Sequence, residues 1–208
     1  MPTAKVDYNQ HHLHRVRHWA DRGRQAPLRG LNLKGADLSG IDLAGADLTG
    51  TQLDLANLAD ANLTGAIIVG ATLRRANLAG AELAQTNLSR AFLNDASLVE
   101  AKLSGARLIR AWLTECDATD ADLTQANLAG AHFQRATLHS ACLAGCDLTG
   151  AILIGADLAG ADLTDAILDA ATLWWADLRH THGLDTVRWH DSDIDRCQFP
   201  PGFTADIS

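Results

Sequence analysis

Hydrophobic positions recur every five residues along this chain, from Ala26 to His180, without one insertion or deletion. The blocks read APLRG, LNLKG, ADLSG, IDLAG, ADLTG and so on to ATLWW and ADLRH, 31 in all. The central residue is Leu in 28 of them, the exceptions being Ile68, Ala118 and Phe133, and Ala stands two places earlier in 25. A period of five suits neither an α-helix at 3.6 residues per turn nor a flat strand at two. An apolar stripe so spaced would spiral round a helix and bury nothing, and Gly at many block ends also argues against helix. A short fixed period signals a solenoid instead, whose units bury their apolar faces by stacking. The central Leu and the Ala before it then point inward, Ala letting the wall pass close to the axis. Asp or Asn, then Ser, Thr or Ala, then often Gly, supply a solvated wall and a tight turn.

This A(D/N)LXX pattern covers about three-quarters of the chain and resembles the pentapeptide-repeat family. The resemblance implies an all-β solenoid: a right-handed, four-sided (quadrilateral) β-helix with four blocks per coil. The 31 blocks would make about 7.75 regular coils. With strands about 4.8 Å apart, that rod is roughly 37 Å long. Three regions follow: residues 1–25, the repeats over 26–180, and an irregular stretch over 181–208.

Both ends should cover the open coils, which would otherwise expose apolar core and unpaired strand edges. Asp7 is placed to cap a helix over about Tyr8 to Asp21, with Leu13 and Trp19 turned onto the first coil. His11, His12, His14 and His18 on that segment invite a metal reading, but Arg15, Arg17 and Arg22 oppose a cation, and we read a solvated basic helix. At the other end Leu184, Val187, Trp189 and Ile194 extend the winding by an irregular coil, and Cys197, Phe199 and Phe203 around Pro200 and Pro201 close it. Inside the rod, Phe133 is expected to lean into the space left by Ala118.

The four sides, numbered from the first four blocks, differ in charge. Sides one and two each sum to +1. Side three sets Arg179 against Asp37, Asp60, Glu100, Asp117, Asp120, Asp157 and Asp177, a net −6. Side four sets Lys102 against Asp42, Glu82, Asp122, Asp162 and Asp165, a net −4. Side two departs from the consensus elsewhere. Ahead of its centres, Phe92, Trp112, His132 and Ile152 occupy consecutive coils where Asp or Asn is usual, and Ile154, Trp174 and Trp175 continue the stripe. A contiguous exposed apolar patch usually marks an interface. The alternatives are a ladder that only strengthens pairing between coils and contact with the terminal segments.

No motif for chemistry is present. The glycines close blocks and open no helix, so there is no phosphate loop, and no nucleophile elbow, Cys-x-x-Cys or His-Glu-x-x-His occurs. Columns of Asp follow from repetition and make no unequal acid–base pair. The chain therefore reads as a non-enzyme without cofactor or metal. Cys116, Cys142, Cys146 and Cys197 form no paired framework and read as free thiols in a cytoplasmic protein; no membrane span or apolar leader is evident.

Two functions remain. The first is a rigid scaffold for protein–protein interaction through the side-two stripe, with an unknown protein partner or a second copy as a homodimer. The second comes from the resemblance. Quinolone-resistance and self-protection members of the family bind DNA gyrase or topoisomerase IV in place of DNA. Here that role would fall to the acidic sides, through Asp37, Asp42, Glu82, Asp117, Asp120, Asp122, Asp157, Asp162 and Asp177. B-DNA would carry roughly 22 charges over that length, against a net 10 on sides three and four. The chain also lacks the outward loops and many Phe centres of the quinolone-resistance type. A net charge of −8 argues against direct binding of nucleic acid.

Overall fold

Five residues make one side of the coil because four of their five N–H groups find backbone acceptors at fixed offsets. The computed structural model describes residues 8–19, 21, 23 and 27–205. In one block, Leu33 N–H donates to the Gln52 carbonyl at 2.7 Å and Gly35 N–H to that of Asp54 at 2.9 Å. Ala36 N–H closes a turn onto the Leu33 carbonyl at 3.0 Å, and Asn57 N–H reaches back to the Ala36 carbonyl at 2.9 Å. The turn's third residue, at the block end, has positive φ in all 31 blocks, from Gly30 to His180, as a type II turn requires. Only 14 of those residues are Gly; Arg, Asp, Gln, Glu and others hold φ of 54–62° in the rest. The closed hydrogen bonding of the coil holds them where an isolated chain would not.

The fifth N–H belongs to the residue after the centre, and it explains the consensus Asp or Asn. The side chain two residues earlier accepts from it: Asp42 Oδ1 from Ala44 N–H at 3.1 Å, Asn77 Oδ1 from Ala79 N–H at 3.1 Å, Asp122 Oδ1 from Thr124 N–H at 2.9 Å. A carboxylate and an amide oxygen serve equally well in this Asx turn.

Parallel bridges pair each outward residue with the one 20 further on, from Asn32 with Gln52 through to Asp162 with His182. Twenty residues are four blocks, so the winding has four sides. Leu or its substitute fills the interior from coil to coil, with every centre from Leu28 to Leu178 buried. Ala118 and Phe133 are both buried in it. At Thr51, Thr86, Cys146 and Thr181 the small inward residue donates its side-chain hydrogen to a carbonyl one coil back. Thr86 Oγ1 bonds the Leu63 carbonyl at 2.8 Å, and Cys146 Sγ bonds that of Leu123 at 2.8 Å. All four cysteines are free thiols. Burial pushes the Cys146 thiol up to about 12 and that of Cys116 higher still.

Past His180 the pairing continues with one residue inserted: Ile167 pairs with Arg188, Thr172 with Asp193 and Asp177 with Gln198. The insertion falls at Gly183, which has φ +72°; a Cβ there would sit 2.4 Å from the Thr164 backbone nitrogen. Leu184 is buried in place of the missing centre. Trp189, Phe199 and Phe203 then cluster, with ring centroids 5.2–6.4 Å apart.

At the other end α1 (Tyr8–Arg17) lies against the first coil. His12 Nδ1 accepts from Asn32 N–H at 3.0 Å, Arg15 donates to the Pro27 carbonyl at 2.5 Å, and Val16 and Trp19 are buried with Leu28 and Leu31. The helix stops four residues short of the expected Asp21. Trp19 N–H bonds the Val16 carbonyl at 3.1 Å in a turn, and this brings the indole back onto the coil. The expected cap Asp7, together with Ala20 and Arg22, lies outside the described residues. No helix among the described residues is long and apolar enough to cross a membrane.

Candidate functional site

The parallel register places Phe92, Trp112, His132 and Ile152 in one column, each bridged to the next. The rings stack: Phe92 and Trp112 have centroids 6.3 Å apart at 14°, and Trp112 and His132 lie 4.1 Å apart at 5°. The guanidinium of Arg74 covers the free face of Phe92 at 4.9 Å. Stacking leaves Phe92, His132 and Ile152 half-buried, while Trp112 stays 41 % exposed. Burial lowers the His132 pKa, so its ring is neutral at pH 7, and its Nδ1 has no hydrogen-bond partner.

This column has given up the Asx turn. Phe, Trp, His and Ile carry no side-chain oxygen, so the N–H groups of Asn94, Thr114, Gln134 and Ile154 lack the acceptor that Asp or Asn supplies elsewhere. Each lost bond forgoes about 0.5–1.5 kcal/mol, partly returned by ring stacking of similar size.

The rest of the stripe does not continue this column. Thr172 follows Ile152 in the ladder. Ile154 and Trp174 run along a second line, where Gly155 N–H bonds the Trp174 carbonyl at 2.7 Å. Trp174 and Trp175 meet edge to face at 6.2 Å, and Arg196 lies 5.6 Å over Trp175. Trp175 is the more exposed of the two at 52 %. The expected single stripe is therefore two patches on one side, because outward positions two apart in a block face different edges of the wall.

A groove of about 790 Å³ runs along the corner where side one meets side two. Phe92, Trp112 and His132 form one wall, Arg90 and Arg110 one end, and Gly130 and Gly150 the floor toward the other. The glycines make the groove: they hold the turn position that Arg90 and Arg110 hold in the two preceding coils. Blockwise reading of the sequence keeps these residues on separate sides and misses the corner. The visible signal was Arg at 90 and 110 followed by Gly at 130 and 150, all 20 apart.

The acidic residues behave differently. Asp37, Asp42, Asp117, Asp122, Asp157, Asp162 and Asp177 each accept a backbone N–H two residues on. The Ser39 hydroxyl, the Thr164 hydroxyl and the Arg179 guanidinium hold Asp37, Asp162 and Asp177, respectively, below the usual carboxylate range. Glu82 pairs with Lys102 at 2.5 Å, and Asp120 stands exposed at a block end. Among the described residues no group of three or more His, Cys, Asp or Glu is placed to hold a metal ion.

Eight copies of the pentapeptide-repeat profile match residues 24–58, 56–95, 81–117, 119–153 and 146–182. No curated protein matches the chain significantly. Among solved structures, QnrB1, a plasmid-mediated fluoroquinolone resistance protein, is 17 % identical with a TM-score of 0.66, covering 83 % of this chain and 89 % of its own. HetL, a pentapeptide repeat protein involved in heterocyst differentiation regulation in the cyanobacterium Nostoc sp. strain PCC 7120, is 32 % identical over 90 % of this chain and 96 % of its own, with a TM-score of 0.30. A pentapeptide repeat protein of the Arabidopsis thaliana thylakoid lumen is 31 % identical over 46 % of this chain and 70 % of its own, with a TM-score of 0.40. Members of this family are right-handed quadrilateral β-helices, generally structural or interaction scaffolds, and with the repeat profile matched from residue 24 to residue 182 this chain belongs to the pentapeptide-repeat family.

Proposed function

We propose that the protein is a non-enzymatic, rigid scaffold that binds a protein partner through side two. One observation carries this reading: four consecutive coils exchange the turn-forming Asp or Asn for Phe92, Trp112, His132 and Ile152. Those coils forgo a backbone hydrogen bond each, a loss that ring stacking only offsets, and present an apolar column to solvent of the kind that marks an interface. Trp174 and Trp175 offer a second anchor toward the far end. A second copy bound about a twofold axis would use the same column. Free thiols fit a cytoplasmic location. We read α1 and the Trp189–Phe199–Phe203 cluster as covers that stop rods joining edge to edge.

The second reading, a mimic of DNA for a type II topoisomerase, draws on the net −10 of two adjacent sides. Set against it, seven of the nine acidic residues involved are committed to turns that Asn forms equally well. A pull-down from lysate with three baits separates the two: wild type, Trp112→Asn with Ile152→Asn, and Asp117, Asp120, Asp122 and Asp157 all changed to Asn. A partner lost only with the side-two changes supports the scaffold. A topoisomerase captured by wild type and lost only with the acidic changes would replace it.

A further inference from the structure

We propose that the corner groove takes a short acidic segment of the protein partner, its carboxylates meeting Arg90 and Arg110 and its apolar side chains resting on the edges of Trp112 and His132. This rests on the reading of side two as an interaction surface. Charge is the first argument. Elsewhere in the winding most arginines have carboxylate partners, Arg75 being the exception: Arg29 with Asp47, Arg135 with Glu115, Arg179 with Asp177, Arg188 with Asp169. Arg90, Arg107 and Arg110 have no carboxylate partner among the described residues, and all three are exposed. Arg90 and Arg110 stand one coil apart, the N–H of Arg90 bonding the Ile109 carbonyl at 3.0 Å, and Arg107 lies on the adjoining wall. Like charges on neighbouring rungs repel, and a carboxylate from outside would relieve them. Asp147 borders the far end of the groove, its Oδ1 engaged by Thr149 N–H at 3.0 Å, so the groove is basic at one end only.

The rings select among anions. A single-stranded nucleic acid needs free aromatic faces. Here the faces of Phe92 and Trp112 are spent on Arg74, on one another and on one face of His132, whose next neighbour in the column is Ile152. Only ring edges point outward, and these carry partial positive charge, which suits carboxylate and carbonyl oxygens. A long polyanion would also meet the acidic sides beyond the groove. Addition of a strand is closed too, because wall N–H groups such as those of Trp112 and Leu113 already bond the coils on either side. Recognition therefore falls to side chains.

The test selects a displayed library of random 12-residue peptides on the full-length protein, with two groove variants as counter-targets. Gly150→Glu places a carboxylate in the open floor; Glu100 and Glu115 hold the same turn position at φ 56° and 58°, so the fold accepts it. Arg90→Gln with Arg110→Gln removes the cations, and Gln85 and Gln125 show that Gln fits there at φ 58° and 59°. Enriched peptides should be acidic with interspersed apolar residues, and both variants should weaken the best of them about tenfold or more by fluorescence anisotropy. Enrichment of neutral or basic peptides, binding indifferent to both variants, no enrichment above blank beads, or tighter binding of a labelled oligothymidine would each overturn the proposal. If the lysate partner is lost with Trp112→Asn and Ile152→Asn but kept by both groove variants, the scaffold reading stands and the acidic-segment inference fails.

Discussion

Side two and side four are built from the same five-residue turn, yet their outward residues do opposite work. On side four Asp42, Asn62, Asp122 and Asp162 face into their own backbone, each accepting the one N–H that the coils leave over. On side two Phe92, Trp112 and His132 turn to one another and outward. The first set is explained by the fold alone, whatever its charge. The second is not, and so the absence of Asp is more informative here than its abundance.

That contrast can be broken at several depths. Removing core from behind either side should cost the same: Leu93→Ala behind side two and Leu103→Ala behind side four should each lose about 2–5 kcal/mol in urea unfolding. A marked inequality would mean that the outward ladders, and not the shared core, set local stability. Next in size, Ala118→Leu should cost about 1–3 kcal/mol through overpacking, and less when Phe133→Leu makes room. Equal costs with and without Phe133→Leu would show that the two sites do not share space.

At the wall itself, Asp162→Ala removes the bonds from the Thr164 N–H at 2.9 Å and hydroxyl at 2.6 Å. It should cost about 1 kcal/mol, and Asp162→Asn much less. Trp112→Asn should be nearly neutral, because the restored acceptor for Thr114 N–H offsets the lost stacking. If Trp112→Asn is as costly as Asp162→Ala, the column is a structural ladder and the contrast collapses.

The smallest effect is on pH dependence. Half-buried His132 has a lowered pKa, because partial burial disfavours the charged ring. The unfolded chain therefore takes up that proton first, and stability falls as pH drops below about 6.5. The carboxyls of Asp37, Asp162 and Asp177 are also held low. Their contribution is full above the unfolded carboxylate range near pH 4 and is lost as pH falls through the folded values. In thermal melts at pH 7.5, 5.5 and 3, His132→Asn should flatten only the first step and Asp162→Asn only the second.

Much of this was legible in the sequence. The inward Leu and Ala positions are written into every block, and Phe92, Trp112, His132 and Ile152 announce themselves by replacing Asp or Asn at a 20-residue spacing. What was not legible depends on geometry across blocks. The corner groove joins the ends of side-one blocks, at Arg90, Arg110, Gly130 and Gly150, to the middles of side-two blocks. Ring stacking, which spends the aromatic faces and leaves edges, depends on rotamers that no spacing encodes. The end of α1 at Arg17 was hidden because Val16 and Trp19 look like one helical face, whereas the coil they cover is met by a turn.

The one-residue insertion at Gly183 marks where counting stops mattering. Before it, 20 residues are one coil and each coil meets only its neighbours, so the molecule is a ruler graduated at about 4.8 Å. Excising residues 51–70 should leave a folded rod shorter by one graduation, with Arg90, Trp112 and the groove unchanged but nearer to α1 by that step. Few proteins allow the distance between a binding groove and the end of the chain to be set in whole numbers.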